Sequence, residues 1–323
     1  MRAVLCREFG PPSSLVVEDV PSPEPGPGQV VVTVKACGVN FPDTLMIEGR
    51  YQFKPPMPFS PGGEVAGVVA RVGEGVTSVR PGDRVIAVTG YGGFAEEVVT
   101  DAERLVPLPD GMDFPAGSAL LFTYGTAQYA LRDRAALKAG ETLLVLGAAG
   151  GTGLAAVEVG SVIGARVIAV ASSEEKLELC RERGAAETIN YATEDLRTRI
   201  KDLTGGAGVD VAFDPVGGEH AEAAVRGMAW DGRYLVIGFV AGIPSVPLNL
   251  ILLKSCSVIG VFWGAFVTRD PSRNRELLAE LFGWHARGKI DPHISSDYPL
   301  ERAADALNDL LERKALGKIV LVP

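Results

Sequence analysis

Residues Thr142–Val157 read TLLVLGAAGGTGLAAV. Leu143, Leu144, Val145 and Leu146 form a short apolar run, and Ala148 to Gly153 form a small, glycine-rich turn. Leu154, Ala155, Ala156, Val157, Val159 and Ile163 then recur at helical spacing. Buried strand, glycine turn and helix are the context that a dinucleotide-binding fingerprint requires. Gly150 lets the backbone approach a pyrophosphate, and Gly153 lets the helix pack close to the strand. In such a fingerprint a pyrophosphate would sit on free N–H groups at the helix N-terminus, where the dipole favours negative charge. Ala149, Gly150, Gly151, Thr152 and Gly153 are therefore the phosphate-binding candidates. Ala148 stands where G-x-G-x-x-G has its first glycine. An ordinary tight βα turn reads the same over these residues alone, so the downstream pattern decides.

Downstream, strand and helix alternate. Apolar strand patterns cover Leu143–Leu146, Arg166–Ala171, Thr188–Tyr191, Val209–Asp214, Tyr234–Phe239 and Val258–Phe262. Helical patterns cover Thr152–Ile163, Glu174–Arg183, Asp195–Leu203, Ala221–Met228 and Leu248–Lys254. The fold class is α/β: a doubly wound parallel sheet, or Rossmann domain, over residues 122–263. DPVGG, Asp214 to Gly218, ends one strand and turns beside the expected cofactor crevice.

The region before it is β-rich. Strand patterns at Ala3–Cys6, Leu15–Val20, Gln29–Ala36, Gly67–Val72, Arg84–Val88 and Phe94–Thr100 are separated by turn clusters such as PSPEPGPG. This predicts a small, partly open barrel or sandwich. Near the C-terminus, Arg273–Arg287 and Leu300–Arg313 read as amphipathic helices and Lys318–Val322 as a last strand.

Composition narrows the function classes. The chain has 323 residues, 47% hydrophobic and 22% charged, enough for two domains. A net charge of −9 disfavours nucleic acid as a partner. No apolar run approaches the ~20 residues of a membrane helix. MRAVLCREFGPP does not read as a signal peptide. Cys6, Cys37, Cys180 and Cys256 are scattered without C-x-x-C spacing, so the expected compartment is a reducing cytoplasm.

GVNFPD, PGGEVAG, VGEGV, PGDRV, GGFAEE, GAAGGTG, DPVGG and GKIVL stand in this order along nearly the whole chain. On these motifs the sequence resembles the medium-chain dehydrogenase/reductase superfamily, in its zinc-free quinone oxidoreductase branch. The resemblance implies a discontinuous GroES-like catalytic domain (1–121 and 264–323) beside the Rossmann domain, with the active site in the cleft. It also implies a homodimer paired through the Val258–Phe262 edge. Zinc relatives have a cysteine where this chain has Asn40, and a histidine in G-H-E where it has Gly62, Gly63 and Glu64. A catalytic zinc takes about three Cys, His or carboxylate ligands, so the resemblance implies no zinc.

Asn40 and Tyr51 are the catalytic candidates. In the resembled family this asparagine lies beside nicotinamide and substrate; an Asx turn before Pro42 is the competing reading. In the related enoyl-thioester reductases a tyrosine at the place of Tyr51 helps protonate the substrate; the competing reading is a tyrosine packing a loop. Thr126, in TYGTA, resembles a threonine on the nicotinamide side. Gly238, Phe239 and Val240 are expected to end a strand at the domain crevice, where backbone groups can hold the carboxamide. Phe262 and Trp263 are candidates for an apolar pocket, with core packing as the alternative. Lys318 matches a family position near the cleft, with no role assigned.

Cofactor choice is legible at the end of the second Rossmann strand. An NAD site places an acid ~20 residues after the glycine turn; here Ser172 and Ser173 occupy that place, followed by Glu174, Glu175 and Lys176. Small hydroxyls leave room for a 2′-phosphate and Lys176 supplies charge. By resemblance, Tyr191 lies by the same phosphate. NADPH is the expected cofactor, although Glu174 can face a ribose and Ser173 can cap its own helix. The expected activity is hydride transfer from NADPH to a quinone or α,β-unsaturated carbonyl. Two alternatives stand beside it: an enoyl-thioester reductase, with Arg50 and Lys54 in a basic groove, and a non-catalytic NADPH-binding scaffold or sensor.

Overall fold

The structure is a computed structural model that describes residues 1–323. In chain order the strands are β1 (Arg2–Leu5), β2 (Val16–Asp19), β3 (Gln29–Val39), β4 (Glu64–Val72), β5 (Arg84–Val88), β6 (Glu97–Asp101) and β7 (Leu105–Pro107). They continue with β8 (Thr142–Leu146), β9 (Arg166–Ala171), β10 (Glu187–Asn190), β11 (Val209–Asp214), β12 (Met228–Val236) and β13 (Ser257–Gly260). The last two are β14 (Ile294–Tyr298) and β15 (Lys318–Leu321). The chain divides into two compact units: Met1–Phe122 with Pro292–Pro323, and Thr123–Asp291.

In the first unit, β3 is the central strand of a seven-stranded sheet ordered β14-β15-β3-β4-β5-β7, with β6 also paired to β3. Val30, Val32 and Val34 on β3 join Val65, Val69, Val85 and Phe94 in one buried cluster. Only glycine fits at position 67, where a Cβ would stand 2.1 Å from the Thr33 carbonyl oxygen. β3 runs on to Val39, past the expected end at Ala36, because Cys37 to Val39 pair with β15 and β4. β4 starts at Glu64, three residues before the expected Gly67.

The second unit holds a six-stranded parallel sheet ordered β10-β9-β8-β11-β12-β13. The chain winds outward from β8 through β9 to β10, then returns to the other side of β8 at β11. That reversal places the topological switch point between β8 and β11. Leu143 to Leu146 are buried on both faces, and burying each leucine contributes about 1.5–3 kcal/mol. Helix Gly151–Ile163 lies close on β8: a Cβ on Gly160 would stand 2.5 Å from the Leu143 side chain. Gly164 ends the helix in the left-handed region at φ 92.

Several expected boundaries move. The second unit extends to Asp291, beyond the expected 263. Helix Pro271–Ala286 belongs to it because Arg273 pairs with Asp133 at 2.7 Å and Gln128 donates to Glu280 at 2.9 Å. The strand expected to reach Phe262 stops at Gly260, and Phe262 precedes helix Trp263–Arg269. β12 stops at Val236, so Gly238, Phe239 and Val240 follow the strand as a loop.

Candidate functional site

The C-terminal ends of the parallel strands in the second unit gather the cofactor candidates. β8 leads to Ala149 and Gly150, β9 to Ser172 and Ser173, β10 to Tyr191, β11 to Asp214 and β12 to Gly238. Gly150 precedes helix Gly151–Ile163, and no side chain caps that helix. A Cβ on Gly153 would stand 2.2 Å from the Gly147 carbonyl oxygen, so helix and turn approach as closely as a glycine allows. The N–H groups of the first turn, with Thr152 among them, make a cradle that fits a pyrophosphate. The helix after β9 differs, because Ser173 Oγ accepts from the Lys176 N–H at 3.4 Å. Lys176 Nζ turns back to Ser172 Oγ at 3.3 Å, so a cation stands at the hydroxyl where an NAD site carries an acid. Glu174 instead pairs with Arg181 at 2.6 Å. Tyr191 packs against His220, ring centroids 4.5 Å apart.

Asp214 organises the neighbouring loops. Its Oδ1 accepts from the Val216 and Gly217 N–H groups at 2.7 and 2.8 Å, and its other oxygen accepts from the Tyr234 hydroxyl. Backbone bonds from Gly218 to Gly242 (2.8 Å) and from Ala241 to Val216 (2.9 Å) tie DPVGG to the Gly238–Val240 loop. Phe239 and Val240 are exposed, as is Phe262. Trp263 is only 5% exposed and packs its indole on Gly125, in place of the strand-end position expected for it. Thr126 opens a short helical segment immediately after that glycine and is half-buried.

The first unit brings together residues that are distant in sequence. Asn40 follows β3 and begins helix Phe41–Ile47. Glu64 opens β4 opposite Gly38, and Lys318 opens β15, whose Ile319 pairs with Val39. Three strand ends thus converge. Lys318 Nζ donates to Asn40 Oδ1 at 2.8 Å and to the Val39 carbonyl at 3.1 Å, and lies 3.7 Å from Glu64 Oε2. Asn40 Nδ2 donates to the Gly38 carbonyl at 3.1 Å and faces Glu64 Oε2 at 3.5 Å. Glu64 Oε1 accepts from the Phe122 N–H at 3.0 Å. Burial pushes the Glu64 carboxyl up and the Lys318 ammonium down, as desolvation demands. Gly38 makes room for this group: a Cβ there would stand 3.0 Å from Lys318 Nζ and 3.2 Å from Glu64 Oε2, and 2.1 Å from the Ser118 carbonyl oxygen.

Asp43 performs the turn role that competed for Asn40. Its carboxylate accepts from the Asn40 N–H at 2.8 Å and the Gly62 N–H at 3.2 Å. The Asn40 side chain is therefore left to Lys318, the Gly38 carbonyl and Glu64. Burial raises Asp43 to about 6, opposed by those two N–H groups and by Lys318. Tyr51 is half-buried against the core cluster, and burial followed by the Asp43 charge pushes its phenol up. The tyrosine thus keeps its proton across neutral pH. Glu64 and Lys318 carry no motif chemistry in the sequence; the available signal was a charged residue opening an otherwise apolar strand, EVAGVV and KIVL.

These residues do not fit a zinc ion. Asn40 and Glu64 face an ammonium already, Gly63 has no side-chain ligand atom, and no three His, Cys, Asp or Glu side chains stand together at metal-binding distance.

The model for the alcohol dehydrogenase GroES-like domain matches residues 26–110, and the model for zinc-binding dehydrogenase matches residues 151–282. A quinone oxidoreductase-like protein 2 homolog from Nematostella vectensis is 42% identical over 99% of this chain and 88% of its own. This chain belongs to the medium-chain dehydrogenase/reductase superfamily, in the quinone oxidoreductase branch. Two solved members share the whole of this oxidoreductase fold. The Pseudomonas syringae quinone oxidoreductase has a TM-score of 0.93 at 34% identity, covering 100% of this chain and 99% of its own. The Escherichia coli quinone oxidoreductase, complexed with NADPH, has a TM-score of 0.92 at 30% identity, covering 100% of both chains. A nicotinamide cofactor accordingly goes with this oxidoreductase fold. No helix is long and apolar enough to cross a membrane.

Proposed function

We propose that the chain is a zinc-free, NADPH-dependent reductase acting on a quinone or α,β-unsaturated carbonyl. The observation that carries this reading is the buried Asn40 amide, held by Lys318 at 2.8 Å in a site whose donors do not suit zinc. Without a Lewis acid, a carbonyl oxygen is polarised by hydrogen bonds alone, which favours an acceptor that is already electron-poor. Bound NADPH supplies the hydride. Delivered to the β-carbon of an enone, that hydride would leave negative charge on the carbonyl oxygen. Asn40 Nδ2 donates to that oxygen, and the Tyr51 hydroxyl or a water protonates the α-carbon. For a quinone the acceptor is intrinsically reactive and needs less of this help.

Lys176 beside Ser172 supports NADPH over NADH, since the pair offers a cation and a hydroxyl to a 2′-phosphate. Ala149 to Gly153 would hold the pyrophosphate, Tyr191 would stand by the 2′-phosphate, and Thr126, Gly238, Phe239, Val240, Phe262 and Trp263 would surround the nicotinamide side. The thioester alternative draws less support, because Arg50 pairs with Glu48 at 2.9 Å and Lys54 lies over the Phe9 ring. The chain would work as a homodimer in the cytoplasm: β13 is a sheet edge with Val258 exposed, and Leu248, Leu252 and Leu253 are exposed on the preceding helix.

NADPH consumption against a quinone, an alkyl enone and crotonyl-CoA, with NADH in parallel, tests the proposal. Preference for quinone or enone supports it. Preference for the CoA ester moves the assignment to a thioester reductase, and binding without consumption to a scaffold or sensor.

A further inference from the structure

The two ends of an asparagine amide have nearly the same shape and opposite chemistry. An amide that meets a substrate carbonyl with its oxygen repels it; one that meets it with its nitrogen stabilises developing negative charge. Something must therefore choose which end of Asn40 faces which way.

Three groups make that choice. Lys318 has donors only, so the Asn40 atom 2.8 Å from its Nζ must be the oxygen. The Gly38 carbonyl and the Glu64 carboxylate accept only, so the atom facing them at 3.1 and 3.5 Å must be the nitrogen. The Glu64 contact is at the limit of a hydrogen bond, so the second N–H of Nδ2 is only weakly held and is available to a substrate oxygen that approaches along it. Lys318 cannot drift from this place. It opens β15 alongside β3, holds the Val39 carbonyl at 3.1 Å and is 5% exposed.

We infer that Lys318 is a positioning residue for the reduction: its ammonium holds the Asn40 oxygen, and thereby keeps the amide N–H as the donor to the substrate carbonyl. The inference rests on the reductase reading given above. Glu64 balances the ammonium and accepts from the far end of the same amide. No bond to the substrate forms at Lys318, and no proton leaves it.

The test uses Lys318→Met and the double variant Lys318→Met/Glu64→Gln. The double variant removes both charges, so it leaves no unpaired buried carboxylate if the single variant folds poorly. Enone turnover should fall on the order of tenfold or more in both, below the ~10²–10³ lost when an oxyanion donor itself is removed. Quinone turnover should fall less than enone turnover, and the NADPH dissociation constant should change little. The side-chain amide pair of Asn40 in a 1H–15N spectrum, assigned by its loss in Asn40→Asp, should move in both variants. Equal losses on enone and quinone, recovery of enone turnover in the double variant, or an unmoved amide pair would each overturn the inference. If the wild-type protein reduces neither acceptor, the reductase reading fails, and the amide pair alone decides whether Lys318 sets the orientation of Asn40.

Discussion

Lys318 and Asn40 are 278 residues apart in sequence and 2.8 Å apart in space. The contact exists because β15 lies antiparallel to β3, so the first residue of one strand meets the residue just past the end of the other. Glu64 enters from β4 on the opposite side of β3. The Asn40 amide, proposed above as the donor to the substrate, is thus held by sheet register rather than by a loop.

Tyr51→Phe separates proton donation from loop packing. Loss of a general acid costs ~10²–10⁴ in rate, so a slow alkyl enone should lose turnover in that range while a quinone loses little. Steady-state rates with both acceptors check this. Unchanged enone turnover would leave Tyr51 as a packing residue.

The doubly wound sheet was legible because its signals are local and repeat: an apolar run, a glycine turn and a helical stripe within Thr142–Ile163, followed downstream by strand and helix patterns in alternation. The Asn40 cluster was half legible. Asn40 stands out as a polar residue in the place of a metal ligand, but its partners come from strand ends far away in sequence, and no spacing rule reports them. The strand β14 was missed because ISSDY lacks an apolar alternation; it is held by pairing with β15. The boundary after Asp291 was missed for a similar reason: Pro271–Ala286 shows its apolar stripe, but the ion pair to Asp133 that fixes its unit spans 140 residues.

Lys176→Ala should weaken NADPH binding and leave NADH binding unchanged. A charge-assisted hydrogen bond contributes about 1.5–3 kcal/mol, which corresponds to a dissociation constant raised roughly 10–100-fold for NADPH. Fluorescence titration with each cofactor measures both constants. Equal effects on the two would place Lys176 away from a 2′-phosphate.

Gly153→Ala should loosen the phosphate cradle. A Cβ at 2.2 Å from the Gly147 carbonyl oxygen must push helix and turn apart. Such overpacking costs about 1–3 kcal/mol of stability. NADPH affinity should fall with it, because the first-turn N–H groups move from their positions. Denaturant unfolding and a binding titration on the same variant give the two numbers.

Asp43 predicts a pH dependence with an unusual sign. Its folded-state value near 6 lies above the 3.8 of an unperturbed aspartate. The folded protein therefore binds more protons there than the unfolded chain between these values, and the contribution of Asp43 to stability falls as pH rises from about 4 to about 6. Glu64 is shifted in the same direction. The unfolding free energy of the wild type relative to Asp43→Asn should therefore decline across that window, by up to about 3 kcal/mol, and level off above it. A difference that rises with pH would show that Lys318 and the two N–H groups outweigh the burial of this carboxylate.

Deuterium transfer tests the central claim most directly. NADPH deuterated at the transferable position of nicotinamide C4 is incubated with an alkyl enone, and the saturated product is examined by mass spectrometry and NMR. The account predicts one deuterium at the β-carbon and a solvent proton at the α-carbon. NADPH that binds while the enone comes back unlabelled and unreduced would contradict it, and would make the chain a binder of the cofactor rather than a reductase.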